Sequence, residues 1–261
     1  MKELVTYFKT RESALNLILE KAPDSYTVET FHELRVEIKK LKALFELITF
    51  CSKKFKSRKT FKPFRTIFKE AGKIRELQLE QTILEKQPSF HLLKKYPNRL
   101  KKQEIKKIKN FFSIANKRLI KKLKGKYRKI ICLITKIRKK KINRYRNKTR
   151  KKIKKLIRRN TFKKIQIHDF RKRLKVYEYN EKIGNPNQQN KLIPDKNRLS
   201  AMLGEWHDYE VIIIHLKKTI SFYKTNSNER KLLKSIKAAV TSKEELLFNK
   251  INAILPYQAL Y

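Results

Sequence analysis

The chain has 261 residues, with 69 Lys+Arg against 23 Asp+Glu and a formal net charge of +46. Such an imbalance far exceeds what solubility needs and points to a polyanionic partner: nucleic acid, polyphosphate or an anionic membrane surface. Hydrophobic residues at 40% and aromatics at 10% exclude a disordered basic tail, and only four Gly and seven Pro point to long helices with few tight turns.

Apolar residues recur at helical spacing almost throughout. A first helix is predicted over about 2–21, ending at Ala22-Pro23-Asp24-Ser25, and a second over about 27–52. On the second, Leu34, Ile38, Leu41, Leu44, Phe45 and Ile48 share one face. A third helix is predicted from about 60 to 86, with Pro63 in its first turn, and Pro88 and Pro97 bracket a break. A fourth spans about 98–124 and stops near Gly125. The following segment, 126–159, is about half Lys and Arg, and its Ile130, Ile134, Ile137, Ile142, Ile153 and Ile157 fit a helix only partly. A sixth helix covers about 161–183. A polar loop follows at 184–194, and two last helices run over about 195–223 and 227–255.

Cys51 and Cys132 lie far apart in apolar helical contexts, with no CxxC or His/Cys cluster, so the sequence carries no zinc signature and two buried free thiols are expected. The N-terminus lacks the apolar core of a signal peptide, and the apolar stretches at 130–134 and 211–214 are far too short to cross a bilayer. A cytoplasmic protein with no membrane insertion is the expectation.

One pattern occurs twice. Phe31-His32-Glu33-Leu34-Arg35 leads to Lys39, Lys40 and Lys42, and Ile167-His168-Asp169-Phe170-Arg171 leads to Lys172, Arg173 and Lys175. On a helix, His32, Arg35, Lys39 and Lys42 fall within an arc of roughly 80°, centred roughly 130° from the apolar face. Crowding cations this way costs repulsion unless a strong anion lies against them. The chain is also rich in Ile and Asn, which suggests a compositional bias that inflates Lys everywhere; such a bias does not order a His/Arg/Lys stripe twice.

A second pair of segments follows in the same order. Ala71-Gly72-Lys73-Ile74-Arg75-Glu76 resembles Leu203-Gly204-Glu205-Trp206-His207-Asp208. Each Gly is placed mid-helix, where it costs about 1 kcal/mol relative to Ala, so close helix approach or room for a ligand is the expected reason. The chain therefore reads as two related halves, about 1–125 and 126–261, of about four helices each.

These four pieces, in order, resemble the CHAD domain (conserved histidine α-helical domain), with His-x-x-Arg-x-x-x-Lys-Lys-x-Lys/Arg and Leu-Gly-x-x-x-Asp helices in each half. The first half supplies His32, Arg35, Lys39, Lys40 and Lys42. The second supplies His168, Arg171 and Lys175 and departs at Val176 and Glu178, while Ala71 and Glu76 depart from the second pattern in the first half. The resemblance implies an all-α, duplicated helical bundle around a basic central groove or pore. It also implies binding of inorganic polyphosphate and association with polyphosphate granules. The Glu-x-Glu-x-Lys motif of the triphosphatase domain that often accompanies this family is not found.

The candidate polyphosphate ligands are His32, Arg35, Lys39, Lys40, Lys42, His168, Arg171, Lys172 and Lys175, with Arg65, Lys69 and His207 as secondary candidates. An imidazole can donate to a phosphate oxygen, guanidinium suits two oxygens at once, and Lys acts as an adaptable point charge. Ordinary half-buried histidines and a solvated cationic face are the competing readings. For His207 and Arg75 the alternative is an ion pair that orients neighbours. No P-loop and no acidic cluster for Mg²⁺ accompanies the motifs, so neither catalysis nor a cofactor is expected. A His-based metal site is set aside because each motif helix offers one His to the stripe and the neighbouring cations repel metal. A nucleic-acid-binding basic helical protein is the alternative function; most Phe and Tyr sit at core spacing, and no zinc finger or RNA-recognition signature is present. The sequence leaves the oligomeric state open.

Overall fold

A computed structural model describes residues 2–158, 162–183 and 196–257. Among these the protein is all-helical, with nine α-helices: α1 (Lys2–Leu19), α2 (Val28–Cys51), α3 (Ser57–Glu85), α4 (Tyr96–Ile114), α5 (Lys117–Ile134), α6 (Lys139–Ile157), α7 (Lys164–Glu181), α8 (Lys196–Ser221) and α9 (Asn228–Tyr257). Short 3-10 turns at Pro23–Ser25 and Pro88–Leu92 follow the predicted breaks. No described helix is long and apolar enough to cross a membrane. The polar loop predicted at 184–194 and Arg159 lie outside the described residues.

Local chemistry explains most boundaries. Thr27 caps α2: its hydroxyl accepts from the Thr30 amide at 3.2 Å, and the Thr30 hydroxyl accepts from the Thr27 amide at 3.3 Å. The predicted fourth helix is in fact two. Asn116 accepts from the Leu119 amide at 3.1 Å and starts α5, so the break falls at 115–116. Gly125 is interior to α5, with no atom within 4 Å of where a Cβ would lie. The basic segment resolves the same way. A break after Ile134 resets the helical phase, letting Ile130 and Ile134 on α5 and Ile142, Ile153 and Ile157 on α6 all be buried. Helix α3 starts at Ser57, earlier than expected, which places Pro63 inside the helix and beyond its first turn. Cys51 is buried as expected, whereas Cys132 is exposed.

The chain forms two compact units, each drawing on both sequence halves. The first comprises Met1–Gly72, Lys109–Leu156 and Lys172–Leu192; the second comprises Lys73–Ile108, Ile157–Arg171 and Ile193–Tyr261. In the first unit α1 packs on α2 and α5. Its core is heavily aromatic. Phe45 meets Phe55, Phe61 and Phe64 at centroid distances of 5.5, 5.9 and 5.7 Å, mostly edge to face, and Phe31 meets Phe111 at 5.3 Å. Among the described aromatic residues, Phe50 and Phe222 alone are exposed.

In the second unit α8 and α9 form a hairpin. Ile212, Leu216 and Ile220 of α8 bury against Leu233, Ile236 and Val240 of α9, together with Leu84, Tyr96 and Leu100. Two buried carboxylates tie this unit together. Glu244 accepts from Trp206 Nε1 at 2.5 Å and pairs with Lys164 Nζ at 2.6 Å. Glu80 accepts from the Tyr96 hydroxyl and lies 3.1 Å from His215 Nδ1. Both are matched with donors, as burial of a charge requires.

His215 gives this unit a pH dependence. The hydrogen bond to Glu80 raises its pKa, partial burial opposes, and the charges of Glu80 and Glu76 add to the rise. A folded pKa above the unfolded value of about 6.5 means that the protonated imidazole stabilises the fold fully below that value. The contribution is lost as pH rises through the folded pKa. Thermal melting of the wild type should therefore show a fall in Tm on the alkaline side of about pH 6.5 that His215→Gln flattens. Parallel profiles for the two proteins would rule the linkage out.

Candidate phosphate-binding site

Helix α2 presents its apolar residues Leu34, Ile38, Leu41, Leu44 and Ile48 to the core, all with no exposed surface. The charged stripe stays off that face. His32 and Lys42 are exposed, and Arg35 and Lys39 are half-buried.

Arg35 is held by its neighbours on α3. Its Nη1 donates to the Phe68 carbonyl at 3.0 Å, and its Cζ sits 4.3 Å from the centroid of the Phe68 ring. Gly72, one turn on, makes this possible: a Cβ there would overlap Nη1 and lie 3.3 Å from Cζ. Close approach is thus the reason for the first mid-helix Gly. The second, Gly204, has no atom within 4 Å of its would-be Cβ and opens on free space instead.

The remaining candidates of the first unit fall into two sets. Lys40 pairs with buried Glu37 at 2.6 Å, and Glu37 also meets Arg11 at 3.2 Å. Lys40 is therefore engaged in the fold, in keeping with its place off the stripe. Lys175 pairs with Glu178 at 3.1 Å, so the residue that interrupts the second cationic pattern holds one of its own cations. Lys42, Lys172, Arg65 and Lys69 are exposed, with Arg65 5.9 Å from the centroid of the Phe61 ring. Partial desolvation pushes the Glu46 carboxyl up, and Lys42 and Arg173 pull it back, so one carboxylate answers cations from both motif helices. These helices meet where Asn180 Nδ2 donates to the Ala43 carbonyl at 3.1 Å.

His168, Arg171 and His207 belong to the second unit, and all three are half-buried. The imidazoles of His168 and His207 lie 4.9 Å apart between centroids, at 47°. His207 Nδ1 is 3.7 Å from Glu210 Oε2, the intrahelical pairing expected as the alternative for His207. The nearness of His168 to His207 could not be read from either motif alone. The repeated order of the segments was the one signal for it.

The basic run on α6 has Lys151, Lys152, Lys154 and Lys155 exposed over the buried Ile153 and Ile157. It is an ordinary amphipathic helix with a solvated cationic face.

A family model for the CHAD domain matches residues 12–217, from within α1 into α8. A search of curated proteins finds none that matches.

Proposed function

The chain belongs to the CHAD family, and on that footing we propose that it binds inorganic polyphosphate through the His/Arg/Lys faces of α2 and α7 and thereby associates with polyphosphate granules. The single observation that carries this reading is the pairing of two cation-striped helices. The Asn180–Ala43 contact joins them inside the first unit, and Arg35 is already fixed on Phe68 against Gly72. In the register that aligns His32 with His168, Asn180 matches Leu44, so the helices cross near equivalent positions. Such a crossing is what a duplicated, pseudo-symmetric arrangement requires, and it supports the duplication.

A polyphosphate chain carries about one charge per phosphate and no bases. It calls for fixed guanidinium and mobile ammonium groups, and for little stacking surface. The aromatic residues serve the core instead. Binding takes place by charge and spacing, without covalent chemistry. Nucleic acid is the second reading, favoured by the exposed basic face of α6, which suits sequence-independent backbone attraction.

Titration at fixed, near-physiological salt separates the two. Long-chain polyphosphate should bind clearly more tightly than pyrophosphate, duplex DNA or single-stranded RNA, and its chain length should be unchanged after incubation with the protein and Mg²⁺. Tighter binding of either nucleic acid would transfer the function to the second reading. Chain shortening abolished by His32→Ala would make the protein an enzyme.

A further inference from the structure

We propose that His168, His207 and Glu210 form a binding site for a transition-metal dication of the zinc type. Helix α7 contributes the first ligand, and α8 contributes the other two, one turn apart. One ligand atom from each lies within 4.8 Å of those of the other two. All three residues are half-buried, so the site is reachable from solvent.

Two observations beyond proximity point to a ligand. The buried His207 Nδ1 has no hydrogen-bond partner, and the nearby Glu210 oxygen, at 3.7 Å, is too far to supply one. An atom placed between them would satisfy both. With metal–ligand bonds of about 2.0–2.2 Å, tetrahedral ligands stand roughly 3.3–3.6 Å apart, so this edge is nearly formed and side-chain rotation closes the others. The second observation is in the repeated segments. Where the later copy has His207 and Glu210, the earlier one has Arg75 and Gln78. A guanidinium is always charged and cannot ligate, and an amide is a poor ligand for these metals. Both changes toward ligating chemistry fall in the copy whose His168 is close enough to join them.

Two imidazoles and a carboxylate suit Zn²⁺, Co²⁺ or Fe²⁺ better than Mg²⁺ or Ca²⁺, and three protein ligands leave a position for an exogenous oxygen. Gly204, one turn before His207, leaves open space on that side of α8. The cationic surroundings weaken such a site without abolishing it. Glu210 brings negative charge to the ion itself, and salt limits the reach of exposed charges to about 8 Å.

Equilibrium dialysis against Co²⁺, after chelator treatment and with no polyphosphate present, tests the site. The full chain should take up one Co²⁺ with the visible bands of a low-coordinate, nitrogen-ligated ion. His207→Arg and Glu210→Gln, which install the residues of the earlier copy, should each weaken uptake by about tenfold or more. Both variants should keep the wild-type helical circular dichroism, and His32→Ala should bind Co²⁺ as the wild type does. Absence of saturable uptake by the wild type, or equal uptake by His207→Arg, would overturn the site. Because polyphosphate is left out, that failure would leave the polyphosphate reading standing, and the reverse also holds.

Discussion

Replacing Arg35 and Arg171 together by Ala should weaken polyphosphate binding by roughly 10²- to 10⁴-fold. Each guanidinium–phosphate contact is charge-assisted and worth about 1.5–3 kcal/mol when well formed, and every 1.4 kcal/mol is about tenfold in affinity. Either single change should therefore cost roughly 10- to 150-fold, with the two adding where they act independently. Neutralising Lys151, Lys152, Lys154 and Lys155 removes twice as many charges yet should cost far less. All four are exposed on α6, where screening confines their pull to about a Debye length. Affinity of the wild type should also fall with added salt, as counterion release demands. The ranking is decisive. If the four-Lys variant loses more affinity than the double Arg variant, the protein is a diffuse polycation, and nucleic acid becomes the better assignment for its partner.

Much of this arrangement is legible in the sequence because helices write their packing into a 3.6-residue period. The apolar face of α2, the charged stripe beside it and the breaks around Pro23 and Pro88 all follow from spacing. What spacing does not carry is competition between local signals. Gly125 looks like a terminator, but Asn116 offers a side-chain cap eight residues earlier than the Lys124 end expected for that helix, and the helix restarts there. Tertiary partners are the other gap. Lys40 and Lys175 look like free members of a cationic run until Glu37 and Glu178 claim them. The two mid-helix glycines look alike in sequence yet differ in space: Gly72 is filled by a guanidinium from α2, and Gly204 faces nothing within 4 Å. His207 reads as a local ion-pair residue because Glu210 is on its own helix, whereas its nearness to His168 depends on how α7 and α8 pack.

Gly72→Ala should abolish the contribution of Arg35 without touching Arg35 itself. The new methyl would occupy the position of Nη1, and the guanidinium, being the far end of a flexible side chain, would leave rather than distort the helices. Leaving breaks the hydrogen bond to the Phe68 carbonyl and the stacking on the Phe68 ring. Folding stability should change little, since Ala is favoured over Gly inside a helix by about 0.5–1 kcal/mol and this offsets much of the lost contact. Gly204→Ala, which meets no protein atom within 4 Å, should simply raise stability by about that amount. Polyphosphate affinity of Gly72→Ala should fall roughly as far as that of Arg35→Ala, by about tenfold or more. The combined Gly72→Ala/Arg35→Ala variant should bind no worse than Arg35→Ala alone, because the methyl then has no guanidinium to displace. A double-mutant cycle over these proteins measures that coupling. Additive losses would mean that Gly72 serves polyphosphate directly, as open space for a phosphate group. Unchanged affinity in Gly72→Ala would mean that the guanidinium grips from more than one pose, and that its fixed seat on Phe68 is a feature of the fold and not of the site.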